Sequence, residues 1–217
     1  MKNSSKEILN RLVIRFPELK ELNNNIEYAI NLISDCYRNG GKVLICGNGG
    51  SASDSEHIVG ELMKGFLLPR KLSNSGQEKL KEMFPETAEY LINNLQQALP
   101  TISLVSQTSL QTAFANDNAP DLSFAQQVLG YGNKNDILIS ISTSGNSKNV
   151  LYASQIAKFK EMKVVSLTGN TGGKLKSLSD VLINVPSDET FIIQEYHLPV
   201  YHVICACLEN EFFGYDK

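Results

Sequence analysis

Five short apolar runs constrain the fold of this chain more than any other feature. They are KVLIC (42–46), TISLV (101–105), DILISIS (136–142), KVVSL (163–167) and VLINV (181–185). A strand with one solvated face alternates apolar and polar residues, whereas a largely continuous apolar run fits a strand that is covered on both faces of a parallel sheet. Helix-like segments separate the runs, so right-handed crossovers are expected between them. The sequence therefore predicts an α/β fold, a three-layer αβα sandwich of flavodoxin or Rossmann-like type around a central five-stranded parallel sheet.

Two regions lie outside this alternation of strands and helices. Residues 1–39 have apolar residues at helical spacing on both sides of Pro17, so they predict two N-terminal helices that end at a Gly-Gly pair. Residues 66–98 hold two helix-like pieces where one crossover helix would suffice, and we interpret them as a helical insertion that covers the sheet or contacts another subunit. Within it, residues 71–78 have the composition of a mobile loop. No linker or repeat divides the chain, so we expect a single domain over residues 1–217.

Composition argues against several classes of partner. A formal net charge of −3 offers no general attraction to nucleic acid or to an anionic membrane. The N-terminal residues turn polar where a signal peptide would be apolar, and no later segment is long and apolar enough to span a bilayer. The four cysteines form neither a CxxC site nor a convincing disulfide framework, so we expect reduced, mostly buried thiols. These features predict a cytoplasmic protein that binds a small molecule and neither nucleic acid nor a membrane.

A glycine-rich turn, CGNGGSASD, follows the first predicted strand. Its spacing fits the dinucleotide pattern GxGxxG/A, but the next strand, which should carry a ribose-binding acidic residue about 20 residues on, begins only near residue 101. We therefore expect no nucleotide cofactor. The remaining interpretation is a turn that lets a ligand approach the backbone. Ser51 would open a helix there, and the free N–H groups of that helix would attract an anion. A tight turn that only needs glycine is the alternative.

A second turn, ISTSGNSKNV (141–150), follows another predicted strand and opens another helix. It places four hydroxyl groups within six residues around Gly145, an arrangement that suits a phosphate monoester. A serine-rich surface turn is the alternative, although open α/β sheets bind their ligands at the carboxyl ends of their strands. No GxxxxGK[ST] motif is present, so a small phosphorylated metabolite is indicated rather than a nucleoside triphosphate.

Two pairs of candidate ligating residues lie on predicted helices. His57 and Glu61 are four residues apart, or about 40° around the helix axis, while Gln194 and His202 are eight apart, or about 80°. Nitrogen and oxygen donors of this kind are accepted by zinc, but ordinary helical surface pairs have the same spacing. Asp54 lies one turn before His57, where it either orients the His57 ring or is simply solvated.

Together, four motifs in order resemble those of the sugar isomerase (SIS) domain family. The motifs are CGNGGSASDSEH with GEL, ANDN, ISTSGNSKNV and QEYHLPVYH. Within that family the chain is similar to the phosphoheptose isomerases, which convert sedoheptulose 7-phosphate. The similarity extends from about residue 22 onward, apart from the proposed insertion. It implies an aldose-ketose isomerase that works through an enediol, and a homotetramer with sites at the subunit interfaces.

The resemblance also implies roles for individual residues. The positions that match zinc ligands are His57, Glu61, Gln194 and His202. Glu61 would be the base, and His202 the acid or a second base. His197 has a matching family position as well, and we interpret it as structural or as supporting the site. The expected contacts with the sugar phosphate are Asn48, Gly49, Gly50, Ser51, Glu61, Asn116, Asp117, Ser142, Thr143, Ser144, Ser147 and Gln194.

Departures from the family pattern bear on the substrate rather than on the fold. Phe191 and Ile192 stand where the heptose enzymes tend to have polar or basic residues, and Pro199 predicts a kink in the helix that carries Gln194 and His202.

A non-catalytic SIS protein, either a phosphosugar-binding protein or a replication-initiator-associating protein, is the alternative function. Retention of all four candidate ligands favours the enzyme. DNA-binding regulators with this domain carry an extra N-terminal helical reader, for which the roughly 40 residues before the first strand are too few.

Overall fold

The computed structural model describes residues 1–215 and confirms the predicted α/β architecture. Its sheet is five-stranded, with every neighbouring pair parallel and the strands in the order β2-β1-β3-β4-β5. The strands are β1 (Val43–Cys46), β2 (Thr101–Ser103), β3 (Ile137–Ile141), β4 (Lys163–Thr168) and β5 (Val181–Asn184). Every residue of β1 and β3 is buried, which is why these runs are largely apolar.

Helices cover both faces of the sheet, and the longest is the last. They are α1 (Asn3–Arg15), α2 (Asn23–Arg38), α3 (Gly50–Met63), α4 (Asn74–Met83), α5 (Ala88–Asn94), α6 (Thr108–Asp117), α7 (Ser123–Tyr131), α8 (Lys148–Phe159) and α9 (Thr190–Phe213), with short 3₁₀ turns at Pro17–Leu22, Pro120–Leu122 and Gly173–Ser177. Among residues 1–215, no helix combines the length and apolar character needed to cross a membrane.

The core consists of two apolar layers, one on each face of the sheet. Side chains of a strand point alternately to opposite faces, so Val43 and Ile45 pack with the layer of α1, α2, α3 and α9. Leu44 and Cys46 pack with the opposite layer, which α7 and α8 cover. The sandwich therefore has the three layers that the sequence predicts.

The N-terminal helices divide at Pro17, as predicted. Proline begins a 3₁₀ turn between α1 and α2, and α2 ends at Arg38 before Gly40, whose φ of 74° is left-handed. Helix α1 packs along α9, where Asn210 donates hydrogen bonds to the hydroxyl groups of Ser4 and Ser5. The two ends of the chain are thereby joined.

The segment interpreted as an insertion contains α4 and α5, but its local structure differs from the prediction. Residues 71–78 are not a loop throughout, because α4 begins at Asn74, capped by the Ser73 hydroxyl that accepts a hydrogen bond from the Gly76 N–H at 3.2 Å. Helix α5 is short and covers Ala88–Asn94. Its apolar residues are partly covered by the rest of the chain, since Ala88 is buried while Tyr90 is 72% exposed.

A buried ion pair anchors the first residues of this segment to α9. Arg70 Nε donates to Glu209 Oε1 at 2.8 Å, and both side chains are almost completely buried. Glu209 also accepts hydrogen bonds from the N–H groups of residues 66, 67 and 68. Arg70 donates in addition to the backbone carbonyls of Glu61 and Leu62. This cluster therefore satisfies carbonyls at the C-terminal end of α3, where helices leave acceptors unpaired.

His197 is a structural residue of the core and predicts a pH dependence of stability. Its Nε2 faces the carbonyl of Thr168 at 3.3 Å, and burial lowers its pKa from 6.5 to about 4. The folded state therefore binds fewer protons than the unfolded state between these values. The contribution of neutral His197 to the free energy of unfolding is fully present above pH 6.5. It is lost as the pH falls through 4, and it amounts to about 3 kcal/mol.

Denaturant unfolding at several pH values measures this dependence. We expect His197→Gln, which does not titrate, to reduce the slope of unfolding free energy against pH in this range by up to about 1.4 kcal/mol per pH unit. An unchanged slope would mean that His197 is not the titrating group.

Candidate active site

The glycine turn (residues 46–54) and the serine turn (residues 141–150) lie side by side at the carboxyl ends of their strands. They follow β1 and β3, which are adjacent parallel strands with Cys46 paired to Ser140. Asn48 of the first turn and Asn149 of the second exchange side-chain amide hydrogen bonds of 2.9 and 2.8 Å. The N-terminal ends of α3 and α8 are therefore neighbours. Asn149 lies in the motif ISTSGNSKNV, but the sequence analysis did not identify it as a contact.

The serine turn is tightly curled and brings two of its hydroxyl groups together. The hydroxyls of Ser142 and Ser147 are 3.0 Å apart. Gly145 has a φ of 65°, and a Cβ there would lie 2.1 Å from the carbonyl oxygen of Gly172, so only glycine fits. The N–H of Gly169 donates to the carbonyl of Thr143 at 2.8 Å. The loop after β4 thus braces the turn, while the Ser144 side chain remains exposed.

The glycine turn brings Gln194 to the start of α3. Gly49 has a φ of 55°, and Gly50 is the first residue of the helix. A Cβ on Gly50 would lie 2.6 Å from the amide nitrogen of Gln194. Ser51 does not begin the helix as predicted, because α3 begins at Gly50 after Gly49; Ser51 is buried and packs against Gly47. Of the predicted contacts here, Gly50 and Gln194 are therefore adjacent.

Gly50→Ala is expected to lower the isomerase activity that the family resemblance implies, without unfolding the protein. The methyl group displaces the flexible Gln194 amide rather than backbone, so we expect about a tenfold loss of kcat/KM with a nearly unchanged unfolding midpoint. The matched control is Gly60→Ala on the same helix, where a Cβ has no neighbour within 4 Å. That control should keep its activity and gain about 0.5–1 kcal/mol of stability. Full activity in Gly50→Ala would contradict the placement of Gln194 at the site.

His57, Glu61 and His202 meet between α3 and α9. His57 Nε2 lies 3.1 Å from Glu61 Oε1, and the His57 and His202 rings have centroids 5.0 Å apart. Glu61 Oε2 and His202 Nε2 are both buried and have no hydrogen-bond partner. Burial and the adjacent His57 lower the pKa of His202, so its ring is neutral at neutral pH. Buried polar atoms without a partner are unusual in a folded protein, and a bound ligand or metal ion would satisfy both of these.

Tyr201 stands between His57 and Asp54, which the sequence analysis did not anticipate. The Tyr201 hydroxyl lies 3.0 Å from His57 Nδ1 and donates to Asp54 Oδ1 at 3.2 Å. Asp54 therefore supports the His57 ring through Tyr201, and the structure shows no direct hydrogen bond between Asp54 and His57 of the kind suggested by their spacing. Burial raises the pKa of Asp54 and that of Tyr201.

The donors of the proposed zinc site fit the metal in chemistry but are not assembled around one point. Two imidazoles and a carboxylate are ligands that zinc accepts, and the unpaired atoms of Glu61 and His202 are free to bind it. However, residues 1–215 contain no group of three or more His, Cys, Asp or Glu side chains arranged to hold a metal ion. Gln194 lies against Gly50, two turns along α3 from His57.

Other residues that the sequence analysis considered lie on α6 and in the N-terminal half of α9. Asn116 and Asp117 are exposed at the end of α6, where they form a hydrogen bond with each other. Pro199 lies within α9, which continues through it as one helix. Phe191, in the first turn of α9, is 60% exposed.

A cleft of about 420 Å³ borders His202 between α1 and α9. Apolar side chains line most of it, and its polar groups besides His202 are Arg11, Arg15 and Glu195.

Comparison with known proteins agrees with this architecture. The SIS domain matches residues 9–77 and 79–169. A phosphoheptose isomerase of Helicobacter pylori (strain P12) is 43% identical over 194 residues, which cover 89% of this chain and 88% of that protein. The solved phosphoheptose isomerase of Neisseria gonorrhoeae superimposes with a TM-score of 0.73 at 33% identity, over 93% of this chain and 94% of that chain. The corresponding structure from Francisella tularensis gives 0.71 at 32% identity, over 96% of both chains. The chain therefore belongs to the SIS domain family and, within it, to the phosphoheptose isomerases.

Proposed function

We propose that this protein is an aldose-ketose isomerase that converts sedoheptulose 7-phosphate to D-glycero-D-manno-heptose 7-phosphate. One observation carries the proposal: helix α3 begins at the paired polar turns and holds His57 and Glu61 further along, against His202 of α9. Gly50 and His57 are seven residues apart, or about 10 Å along the helix axis. An extended seven-carbon sugar phosphate has a comparable length, so its phosphate can lie at the turns while its carbonyl end reaches Glu61.

The residues of the site divide the reaction between binding and proton transfer. The hydroxyls of Ser142, Thr143, Ser144 and Ser147 and the start of α8 bind the phosphate. Glu61 removes a proton from C1, next to the ketone at C2, and the electron pair forms the C1=C2 enediol. Glu61 returns the proton to C2, while His202 moves a proton between the two substrate oxygens. A neutral imidazole with an unpaired Nε2 is suited to that exchange.

Zinc is proposed as a cofactor of this site, held by His57, Glu61 and His202 with Gln194 as the fourth residue. When bound, zinc would polarise the carbonyl and stabilise negative charge on oxygen.

A homotetramer with sites at subunit interfaces is proposed from exposed apolar residues around the site. Leu67 is 63% and Ile14 77% exposed, and clusters of exposed apolar residues mark contact surfaces. Light scattering at micromolar concentration tests the assembly, and a monomer would refute it. We also propose a cytoplasmic location, since all four cysteines are free and buried as expected in a reducing compartment. A single domain over residues 1–217 is proposed as well.

The direct test is incubation of the purified protein with sedoheptulose 7-phosphate. We expect an aldose 7-phosphate to accumulate, and in D₂O we expect deuterium to enter the product at C2, as an enediol requires. Unphosphorylated sedoheptulose is the matched control and should react poorly. Failure to convert the phosphorylated sugar, with or without added zinc, would refute the proposed function.

Ser147→Ala should weaken binding of the sugar phosphate. A hydrogen bond to a charged group contributes about 1.5–3 kcal/mol, so KM should rise about tenfold or more while kcat changes little. Ser177→Ala, which removes an exposed serine that bonds only to the Lys174 carbonyl, is the control. A normal KM in Ser147→Ala would remove this hydroxyl from the phosphate site.

A further inference from the structure

We propose that Tyr201, held by Asp54, is a positioning residue that fixes His57 as the Nδ1–H tautomer and so turns the lone pair of Nε2 toward Glu61. This proposal deepens the proposed function, and it rests on that function only for the use that the enzyme makes of His57 and Glu61.

The argument for the tautomer is a count of protons. A phenol has one hydroxyl proton, and in Tyr201 that proton is donated to Asp54 Oδ1 at 3.2 Å. An ionised carboxylate can only accept hydrogen bonds. The Tyr201 oxygen must therefore accept at its other contact, with His57 Nδ1 at 3.0 Å. Nδ1 then carries a proton, and in a neutral ring Nε2 carries none.

Tyr201 is well placed to impose this choice because it cannot move freely. Its residue is 2% exposed, and its ring packs edge-on against both His57 and His202, with centroid separations of 5.5 and 5.0 Å. A phenol keeps its proton at neutral pH, so Tyr201 has the one proton that the arrangement requires.

The tautomer determines what the gap between His57 and Glu61 can hold. An unprotonated Nε2 facing Glu61 Oε1 at 3.1 Å places a lone pair opposite a carboxylate. This contact is favourable only when a positive charge or a proton lies between the two atoms. Because neutral imidazole binds metals through such a lone pair, the chain of Asp54, Tyr201 and His57 prepares the pair for a divalent cation. In other metal sites, removing an outer partner of this kind costs about 10–100-fold in metal affinity.

The first test is ¹⁵N NMR of the histidine rings at a pH where titration of the same signals shows His57 to be neutral. The chain has three histidines, so His197→Gln and His202→Gln assign the His57 signals. We expect wild-type His57 to be the Nδ1–H tautomer and Tyr201→Phe to shift it toward Nε2–H. Tyr37→Phe is the control, since it deletes a buried hydroxyl that bonds to Thr101 instead. Wild-type His57 as Nε2–H, or an unchanged tautomer in Tyr201→Phe, would overturn the proposal.

The second test measures Zn²⁺ affinity by competition with a chelator, without any substrate. We expect Tyr201→Phe and Asp54→Asn each to weaken Zn²⁺ binding about 10–100-fold, and the double variant to lose no more than the larger single effect because the two residues act in series. Tyr37→Phe should bind like wild type. Equal Zn²⁺ affinity in wild type and Tyr201→Phe would refute the link to the metal. The proposed function fails separately, through absence of isomerisation in a wild-type protein whose His57 has the expected tautomer.

Discussion

Replacing Glu61 with glutamine is expected to lower kcat for sedoheptulose 7-phosphate by about 10²–10⁴-fold, with little change in KM. The substitution keeps the shape of the side chain and removes the base, and positioned acid-base groups contribute a factor of this size. The amide also cannot accept the proton from C1, so exchange of substrate hydrogen with D₂O should fall by the same factor. Product formation and deuterium incorporation, measured on the same samples, check both expectations.

Glu56→Gln is the matched control for this variant. Glu56 is on the same helix but is exposed, where it accepts a hydrogen bond from the Ser106 hydroxyl. It should keep wild-type kcat and exchange. If Glu61→Gln isomerised the substrate at the wild-type rate, Glu61 would have no part in proton transfer, and His202 would have to be tested as the base.

Arg70→Ala is expected to destabilise the protein by about 3–5 kcal/mol, the largest stability effect that we expect from a single change. It leaves Glu209 buried without its cation, and breaking one side of a buried ion pair costs about this much. It also leaves the carbonyls of Glu61 and Leu62 without the hydrogen bonds they accept from Arg70. Denaturant unfolding of wild type and variant measures the difference.

Two comparisons make the Arg70 prediction specific to burial. Lys134 and Glu161 form an ion pair in which both side chains are about two-thirds exposed, and Lys134→Ala should not change the unfolding midpoint measurably. Replacing Arg70 and Glu209 together by Met and Leu should remain destabilising, because three backbone N–H groups bond to Glu209. Wild-type stability in Arg70→Ala or in the Arg70/Glu209 double variant would show that the pair does not hold this segment.

The parts of the fold that depend on local pattern were predictable from the sequence. Strands covered on both faces are largely apolar, so the five apolar runs predicted the five strands. Their predicted bounds agree with the structure to within two residues. The two polar turns were also predictable, because each is a local pattern: glycines or hydroxyl residues directly follow a predicted strand within a stretch of about ten residues. The structure of 71–78 was not predictable from composition, because a single capping hydrogen bond from Gly76 to Ser73 decides that α4 begins there.

By itself, the sequence determined the layers of the fold, the family and a set of candidate side chains for the site. Only the tertiary structure decided which of them meet. Asn48 pairs with Asn149, His57 with Tyr201, and Arg70 with Glu209, across 101, 144 and 139 residues. Such contacts depend on how α9 is rotated and placed against α3, and on which strands are neighbours in the sheet. Helix packing sets that rotation through the shape of whole apolar surfaces, and the spacing of residues along the chain does not record it.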